Sequence, residues 1–243
     1  MILKHVDFEV PGFGELATGP AVAPDYQQAI ADLAPIADWQ LEEVAGTTLA
    51  DSTGSHDLQL SGGYSLGVDG PASAPGSSAV FFSGGSADAT GAVIPASTPL
   101  PFSVVFWAQQ DASAVSGSII GQHSTSESGS LLILMGATGQ LLFSIGSLFF
   151  LTTGSIDQTW RHVVLTHDGL GTVSWYIDGA IDNTVSGTAF SVADVPFALG
   201  QQTFAGAFAM LDSVSVLPSA LTSGQVSHLF ALAKAWPSHL AGN

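Results

Sequence analysis

The sequence contains no cysteine, which excludes a disulfide framework and thiolate-ligated metal sites. Basic residues are almost as scarce, with three Lys and Arg against twenty Asp and Glu, and the formal net charge is −17 at pH 7. A surface of this charge repels phosphate groups. We therefore expect neither nucleic acid nor an anionic membrane surface to be a partner.

Long hydrophobic runs are also missing. The segment that comes nearest, 141–151, is interrupted by Ser144, Gly146 and Ser147, whereas a membrane-spanning helix needs about 20 consecutive apolar residues. The first residues do not combine a positively charged segment with a long apolar run, so we do not expect a signal peptide. The hydrophobic fraction of 46% and the mean hydropathy of +0.40 instead favour a chain that folds around a large core.

Glutamate is the scarce acid, and its distribution argues against catalysis. The five glutamates are Glu9, Glu15, Glu42, Glu43 and Glu127. Glycosidases need two carboxylates on one face, and the adjacent Glu42 and Glu43 would point to opposite faces of a strand. His162 and His167 also lie on opposite sides of one predicted strand, and the chain has no Gly-x-Ser-x-Gly motif. We therefore expect a non-enzymatic protein.

Short alternating segments separated by Gly, Ser, Asp and Pro are what the sequence does contain, and they are typical of an all-β antiparallel sandwich. In the clearest segment, 102–109, Phe102 and Phe106 point one way and Trp107 points the other. Both faces are apolar, which predicts a central strand. The predicted strands are 37–41, 57–60, 78–83, 102–109, 118–122, 131–135, 141–145, 160–167, 172–178, 181–185, 197–199 and 208–217.

Turns and tryptophans support the same architecture. Gly136–Gly139 and the pair Asp178-Gly179 are predicted to form tight hairpins. Large aromatic side chains can fill the space between two sheets. We expect four tryptophans to do so here, namely Trp39, Trp107, Trp160 and Trp175.

Two short helices are predicted to flank the strands. The first covers 25–33 with Asp25 as its cap, and Pro35 stops it. The second begins at Thr222, where Thr-Ser-Gly-Gln forms a capping box. Its apolar face should pack on the sandwich, and it consists of Val226, Leu229, Phe230 and Ala233.

The N-terminal segment differs from the rest of the chain. Residues 1–24 contain three prolines and one alternating stretch, 5–10, which indicates an extended arm. The arm is either an extra edge strand of the sandwich or a docking arm that pairs with another subunit. The candidate assembly residues are His5, Val6, Phe8, Val10 and Phe13. The predicted division is an arm at 1–24, a sandwich at 25–233 and a tail at 234–243.

Three blocks of sequence carry a family resemblance. The first, 36–54, contains Trp39 and an Asp-Ser-Thr-Gly turn; the second, 160–179, begins with Trp and ends in Tyr-Ile-Asp-Gly; the third, 204–225, runs through a closing strand into the capped helix. In this order they resemble the laminin-G-like domains of the concanavalin A-like lectin/glucanase superfamily. The resemblance implies a two-sheet antiparallel jelly-roll sandwich.

The resemblance also raises calcium as a cofactor, because laminin-G-like domains often bind it at the rim of the sandwich. Carboxylates near turns are suitable ligands, and the candidates are Asp51, Asp57, Asp168, Asp178 and Asp212. The alternative is that each aspartate caps backbone groups of its own turn.

The segment Asp25–Ile30, followed by Pro35–Leu41, is similar to laminin-G-like domains of tailed-phage virion proteins. This similarity implies a structural or accessory protein of a virion, such as a head decoration, head fibre or tail component. Its partners would be capsid or tail proteins and a cell-surface glycan, and its assembly a homo-oligomer, specifically a trimer. The alternative is a free-standing carbohydrate-binding or cell-surface adhesion module that works outside the cell.

Overall fold

A computed structural model of the chain describes residues 25–71, 77–96, 99–113, 116–124, 129–145, 148–187, 189–200 and 209–235. The predicted arm, with its candidate assembly residues, lies outside this range. The described residues form two helices and sixteen strands. The helices are α1 (Tyr26–Ala31) and α2 (Ser223–Ala235). The strands are β1 (Ala37–Trp39), β2 (Thr48–Leu49), β3 (Leu58–Ser61), β4 (Tyr64–Asp69), β5 (Ser78–Phe82), β6 (Ser86–Asp88), β7 (Pro101–Gln110), β8 (Gly117–Gln122), β9 (Leu131–Met135), β10 (Gln140–Ile145), β11 (Leu148–Ser155), β12 (Arg161–Asp168), β13 (Thr172–Ile177), β14 (Ala180–Ser186), β15 (Phe197–Gly200) and β16 (Ala209–Leu217).

The strands form two antiparallel sheets of eight strands each. Sheet I has the order β14-β13-β12-β7-β16-β5-β4, and β1 also pairs with β16. Sheet II has the order β11-β10-β9-β8-β15-β6-β3-β2. The predicted all-β sandwich is confirmed, and β7 lies in the middle of sheet I as its two apolar faces indicated. Among the described residues, no helix is long and apolar enough to cross a membrane.

The main core lies between the sheets and is rich in aromatic rings. Trp39 stacks on Phe197 with ring centroids 5.1 Å apart, and its indole Nε1 donates to the carbonyl of His56 at 2.8 Å. Trp175 donates in the same way to the carbonyl of Phe150 at 3.0 Å. Burial of such a side chain contributes roughly 1.5–3 kcal/mol. The two tryptophans thus fill the space between the sheets, as predicted, with their polar atoms satisfied.

A second apolar cluster covers the outer face of sheet I. Trp107 of β7 packs there with residues of α1 and α2, and half-buried Trp160 packs against the same cluster. The prediction that these two tryptophans fill the space between the sheets is therefore wrong. Alternation along β7 places Trp107 opposite Phe106, and the face opposite the main core is covered by helices.

The helices begin where the sequence predicts. Asp25 accepts a hydrogen bond from the amide of Gln28 at 2.7 Å and caps α1. Thr222 and Gln225 form the predicted capping box of α2, with the Thr222 amide donating to Gln225 Oε1 at 2.9 Å. The predicted apolar face of α2 is confirmed, because it contributes Val226, Leu229 and Ala233 to the second cluster.

Bounds of the predicted strands agree with the structure to within one or two residues, but four strands were not predicted. These are β2, β4, β6 and β11, and β2 has only two residues. Strand β4 is interrupted by Gly67, which has a φ of 66° beside a shift in register. Strand β6 has only three residues. Strand β11 belongs to the same apolar run as β10. Only one strand, 141–145, is predicted in this run, whereas the structure has two, which pair from Ile145 and Leu148 onward.

The predicted hairpin at Asp178-Gly179 is confirmed. Both residues have positive φ, at 51° and 78°, as a two-residue type I′ turn requires. The hairpin between β9 and β10 is confirmed as well.

Strand β11 lies at the edge of sheet II, and side chains of β14 satisfy its backbone. The carboxylate of Asp182 accepts hydrogen bonds from the amides of Thr153 and Gly154 at 2.7 and 2.8 Å. Asn183 donates to the carbonyl of Leu151 at 2.8 Å. Because unpaired edges invite pairing with another chain, these contacts protect the edge and join the two sheets.

Candidate functional site

A cleft lies beside the loop that joins β1 to β2. It has a volume of about 340 Å³ and is lined by Gln40, Glu42, Glu43, Ala50 and Ser52. All of these except Ala50 carry polar side chains. Most of the surface that they expose in the cleft is nevertheless apolar, so only a few hydrogen-bonding atoms face it.

Leu41 gives this loop its shape. Its side chain is buried in the main core, and its φ of 62° lies in the left-handed region that leucine rarely adopts. The neighbouring Gln40 and Glu42 are exposed. β1 consequently ends at Trp39, two residues before the predicted end of the strand.

The two glutamates of the cleft also hold the loop. Glu42 Oε2 accepts the amide of Ser78 at 2.7 Å, and Glu43 Oε1 accepts the amide of Ala50 at 2.8 Å. The second oxygen of Glu43 is buried and has no hydrogen-bond partner in the structure. The prediction that Glu42 and Glu43 face opposite sides of a strand is wrong, because both lie in the loop and line one cleft.

Asp51 organises the turn next to the cleft. Its carboxylate accepts the amides of Asp38, Thr53, Ser55 and His56 at 2.8 to 3.1 Å, and the Thr53 hydroxyl at 2.6 Å. Burial alone would raise the pKa of Asp51, but the hydrogen bonds from Thr53, Asp38 and Ser55 outweigh it and lower the pKa. Local capping, the alternative role considered for these aspartates, is what Asp51 performs.

Ser52 connects the cleft to buried acids. Its hydroxyl donates to Asp38 Oδ2 at 2.7 Å, and Ser215 of β16 donates to Asp38 Oδ1 at the same distance. Asp212, also on β16, is only 2% exposed. Its burial, followed by repulsion from Glu42, raises its pKa from 3.8 to about 8.

A buried polar network extends from Asp212 under α1. Gln27 Nε2 donates to Ser213 Oγ at 3.2 Å, and Ser213 Oγ donates to Asp212 Oδ1 at 3.1 Å. Tyr26 Oη lies 3.2 Å from Nε2 of His162, whose pKa burial lowers to about 3. The network is enclosed between α1 and sheet I, so it serves the packing of that helix.

The structure separates most of the calcium candidates. Asp51 and Asp57 are neighbours, with the Asp51 amide donating to Asp57 Oδ1 at 2.9 Å. Asp168 accepts amides within the β12–β13 hairpin, whereas Asp178, in the next hairpin, accepts Nη1 of Arg161 at 2.7 Å. Across the described ranges, no three His, Asp or Glu side chains are grouped so that they could hold a metal ion. Calcium binding at these aspartates therefore stays a prediction.

The two histidines of β12 face opposite sides of sheet I, as predicted. His162 contacts Trp107 and Phe230 in the second cluster. His167 stacks on Phe190 at 4.1 Å and contacts Phe102 on the side of the main core. They do not form a metal pair.

A second candidate surface lies on the outer face of sheet II. Phe149 and Leu151 of β11 are 61% and 48% exposed. Register places Leu142 beside Leu151, and Leu134 beside Leu142. We call these four residues the apolar strip. The sequence pattern did not point to it, because β11 was not predicted.

Comparison with known families matches residues 82–227 to the concanavalin A-like lectin/glucanases superfamily. The matched segment is more than half of the chain. No curated protein matches the chain at a significant level.

Solved structures show the same fold at low sequence identity. The binding domain of Paraclostridial Mosquitocidal Protein 1 has a TM-score of 0.64 and 17% identity over 81% of this chain and 51% of that one. Domain 4 of AbnA, an extracellular GH43 arabinanase from Geobacillus stearothermophilus solved with arabinotriose, has a TM-score of 0.60 and 17% identity over 80% of this chain and 97% of that one. A structure of botulinum neurotoxin type C, a toxin whose cell entry depends on interaction with two ganglioside molecules, has a TM-score of 0.59. The two chains are 15% identical over 82% of this chain and 51% of that one. The chain thus spans about half the length of the two toxin chains and almost all of the arabinanase domain.

Proposed function

We propose that this chain, which belongs to the concanavalin A-like lectin/glucanase superfamily, is a non-enzymatic carbohydrate-binding module whose site is the cleft between Gln40 and Ser52. The observation that carries the proposal is a cleft lined by Gln40, Glu43 and Ser52, in which Glu43 keeps one oxygen without a hydrogen-bond partner. The arabinanase domain with arabinotriose supports it, since that domain has the same fold over nearly its whole length.

Sugar hydroxyls match the chemistry of the cleft. A buried acceptor without a donor costs about 1–3 kcal/mol. Glu43 Oε2 is closed to solvent in this structure, so a sugar hydroxyl would remove this cost by donating to it once the Glu43 side chain turns toward the cleft. Gln40 offers both a donor and an acceptor, and Ser52 offers a hydroxyl. The volume of about 340 Å³ is at the lower end of the range for ligand pockets. This size suits the end of an oligosaccharide.

Calorimetric titration with a panel of oligosaccharides tests the site. Glu43→Gln keeps an oxygen for the Ala50 amide but turns the free oxygen into a donor, so we expect at least about a tenfold loss of affinity. Asp111→Asn, an exposed carboxylate in another turn, is the matched control and should bind as the wild type does. The proposal fails if no oligosaccharide binds or if Glu43→Gln binds as tightly as the wild type.

The same titration addresses catalysis. Two carboxylates in one cleft are also what a glycosidase needs, although here each has one oxygen bonded to a backbone amide. We expect the sugar to be recovered intact after prolonged incubation. Release of shorter sugars would contradict the non-enzymatic role.

Display of this module on a virion is the second part of the proposal, and the resemblance to tailed-phage proteins supports it. In this arrangement residues 1–24 dock on capsid or tail proteins and the chain assembles as a trimer. Deleting 1–24 should leave the sandwich folded, by circular dichroism, and abolish its assembly in sedimentation. Unchanged assembly would favour the free-standing extracellular module.

A further inference from the structure

We propose that the cleft selects neutral glycans and discriminates against glycans that carry a carboxylate or sulfate. The inference rests on the proposed function and adds the charge of the ligand. It follows from the distribution of charged side chains around the cleft.

Negative groups are concentrated at the cleft. Glu42 and Glu43 line it, and Ser52 is bonded to the carboxylate of Asp38 behind the wall. Asp51 directly precedes Ser52 in the chain. The effect of Glu42 extends into the protein, since its charge adds to burial in raising the pKa of Asp212. An anionic sugar placed in the cleft would meet the same repulsion.

Positive groups of the described ranges are engaged elsewhere. Arg161 bonds to Asp178 at 2.7 Å and lies 3.7 Å from Asp157. Lys234 of α2 lies over the ring of Phe230 at 5.5 Å. Neither side chain lines the cleft. Within the described ranges, a sugar carboxylate bound there would therefore find no arginine or lysine to pair with.

The size of the effect follows from Coulomb's law. Two unit charges at contact distance in water change an affinity by about fivefold, so two carboxylates give on the order of 20-fold. Salt weakens the repulsion between exposed charges, because the screening length falls from about 10 Å at 0.1 M to about 3 Å at 1 M. Discrimination should therefore shrink as the salt concentration rises.

Matched pairs of sugars that differ in one charge test the inference, for example lactose and sialyllactose within a wider panel of neutral oligosaccharides and their sialylated forms. At low salt we expect the neutral member of each pair that binds to do so at least about tenfold more tightly. Raising NaCl to about 0.5 M should reduce this ratio severalfold. Glu42→Gln should reduce it as well, while Asp111→Asn should not.

The outcomes separate the inference from the function on which it rests. Sialylated sugars that bind as tightly as neutral ones at low salt overturn the charge selection and leave the carbohydrate site standing. A ratio that changes with neither salt nor Glu42→Gln also overturns it, because the selection would then be steric. Failure of every sugar in both sets overturns the site and the inference together.

Discussion

The two outer faces of the sandwich differ in what covers them. On sheet I, α1 and α2 cover Trp107, Val105 and Val164 and form a second apolar cluster. On sheet II, the apolar strip leaves Phe149 and Leu151 largely exposed. Both faces carry large apolar side chains on neighbouring strands. Alternation along a strand therefore shows which residues share a face, but it does not show which distant segment of the chain packs over that face.

The cover also changes the chemistry of the face beneath it. Under α1, burial lowers the pKa of His162 and raises the pKa of Asp212, and both shifts favour the neutral form of the side chain. An uncovered face leaves ionisable groups in water. Substitutions and changes of pH should therefore act strongly on the face of sheet I and weakly on that of sheet II.

Trp107→Ala should give the largest effect. Trp107 is buried against His162 and Phe230, and truncating a buried tryptophan costs about 3–5 kcal/mol. Urea unfolding monitored by circular dichroism measures the loss. Trp39→Ala, in the main core, is the matched control, and we expect a loss of similar size in a single transition. A Trp107→Ala variant as stable as the wild type would mean that the helices do not cover this face in solution.

Asp212→Asn should show that burial under α1 makes the free energy of unfolding depend on pH. The folded-state pKa of Asp212 is raised from 3.8 to about 8, so between these values the folded state keeps a proton that the unfolded state has lost. This contribution to stability is full below about pH 4 and is lost as pH rises through about 8, at up to about 1.4 kcal/mol per pH unit. The Asp212→Asn variant has no carboxyl group here, so its stability should not fall with pH for this reason.

Urea unfolding at several pH values between about 4 and 8 checks the sign. The Asp212→Asn variant should become steadily more stable relative to the wild type as the pH rises. Asp168→Asn, in an exposed hairpin, serves as the control and should show no such gain. Parallel curves for Asp212→Asn and the wild type would show that Asp212 is ionised in the folded protein.

The fold was largely predictable because its signals are local. Strand bounds, the two capping residues and the Asp178-Gly179 hairpin depend on patterns within a few residues. Three of the strands that were not predicted lack such signals, because Gly67 interrupts β4 and both β2 and β6 are very short. The prediction for Trp107 and Trp160 is wrong because an apolar residue on the second face of a strand does not show whether a sheet or a helix packs against it.

The candidate site was less predictable, because it depends on one unusual backbone conformation. The positive φ of Leu41 ends β1 early and places Glu42 and Glu43 in a loop, where the rule of alternation does not apply. The acid-to-amide bonds to Ser78 and Ala50 are contacts between distant or irregular segments. In retrospect, two adjacent glutamates among only five in the chain were the available signal.

Asp25→Ala should give an intermediate effect on the covered face. Removing the cap of α1 leaves the Gln28 amide without its acceptor, which costs about 1 kcal/mol. Because α1 carries Tyr26 and covers the network around Asp212, loss of the cap should loosen this contact, and the amides of α1 should exchange with deuterium faster. Asp25→Asn is the matched control, since asparagine caps equally well. Equal stability of the alanine and asparagine variants would contradict a capping role.

Phe149→Ala should give the smallest effect, because this ring already lies in water. We expect the free energy of unfolding to change by less than about 0.5 kcal/mol. The adjacent Phe150 is the matched control, since it is buried against Phe143 at a ring distance of 5.7 Å, and Phe150→Ala should cost about 3–5 kcal/mol. Two neighbouring phenylalanines on one strand then report the two sides of sheet II separately. If Phe149→Ala destabilises the protein as much as Phe150→Ala does, the outer face of sheet II is covered in solution, and the contrast between the two faces does not hold.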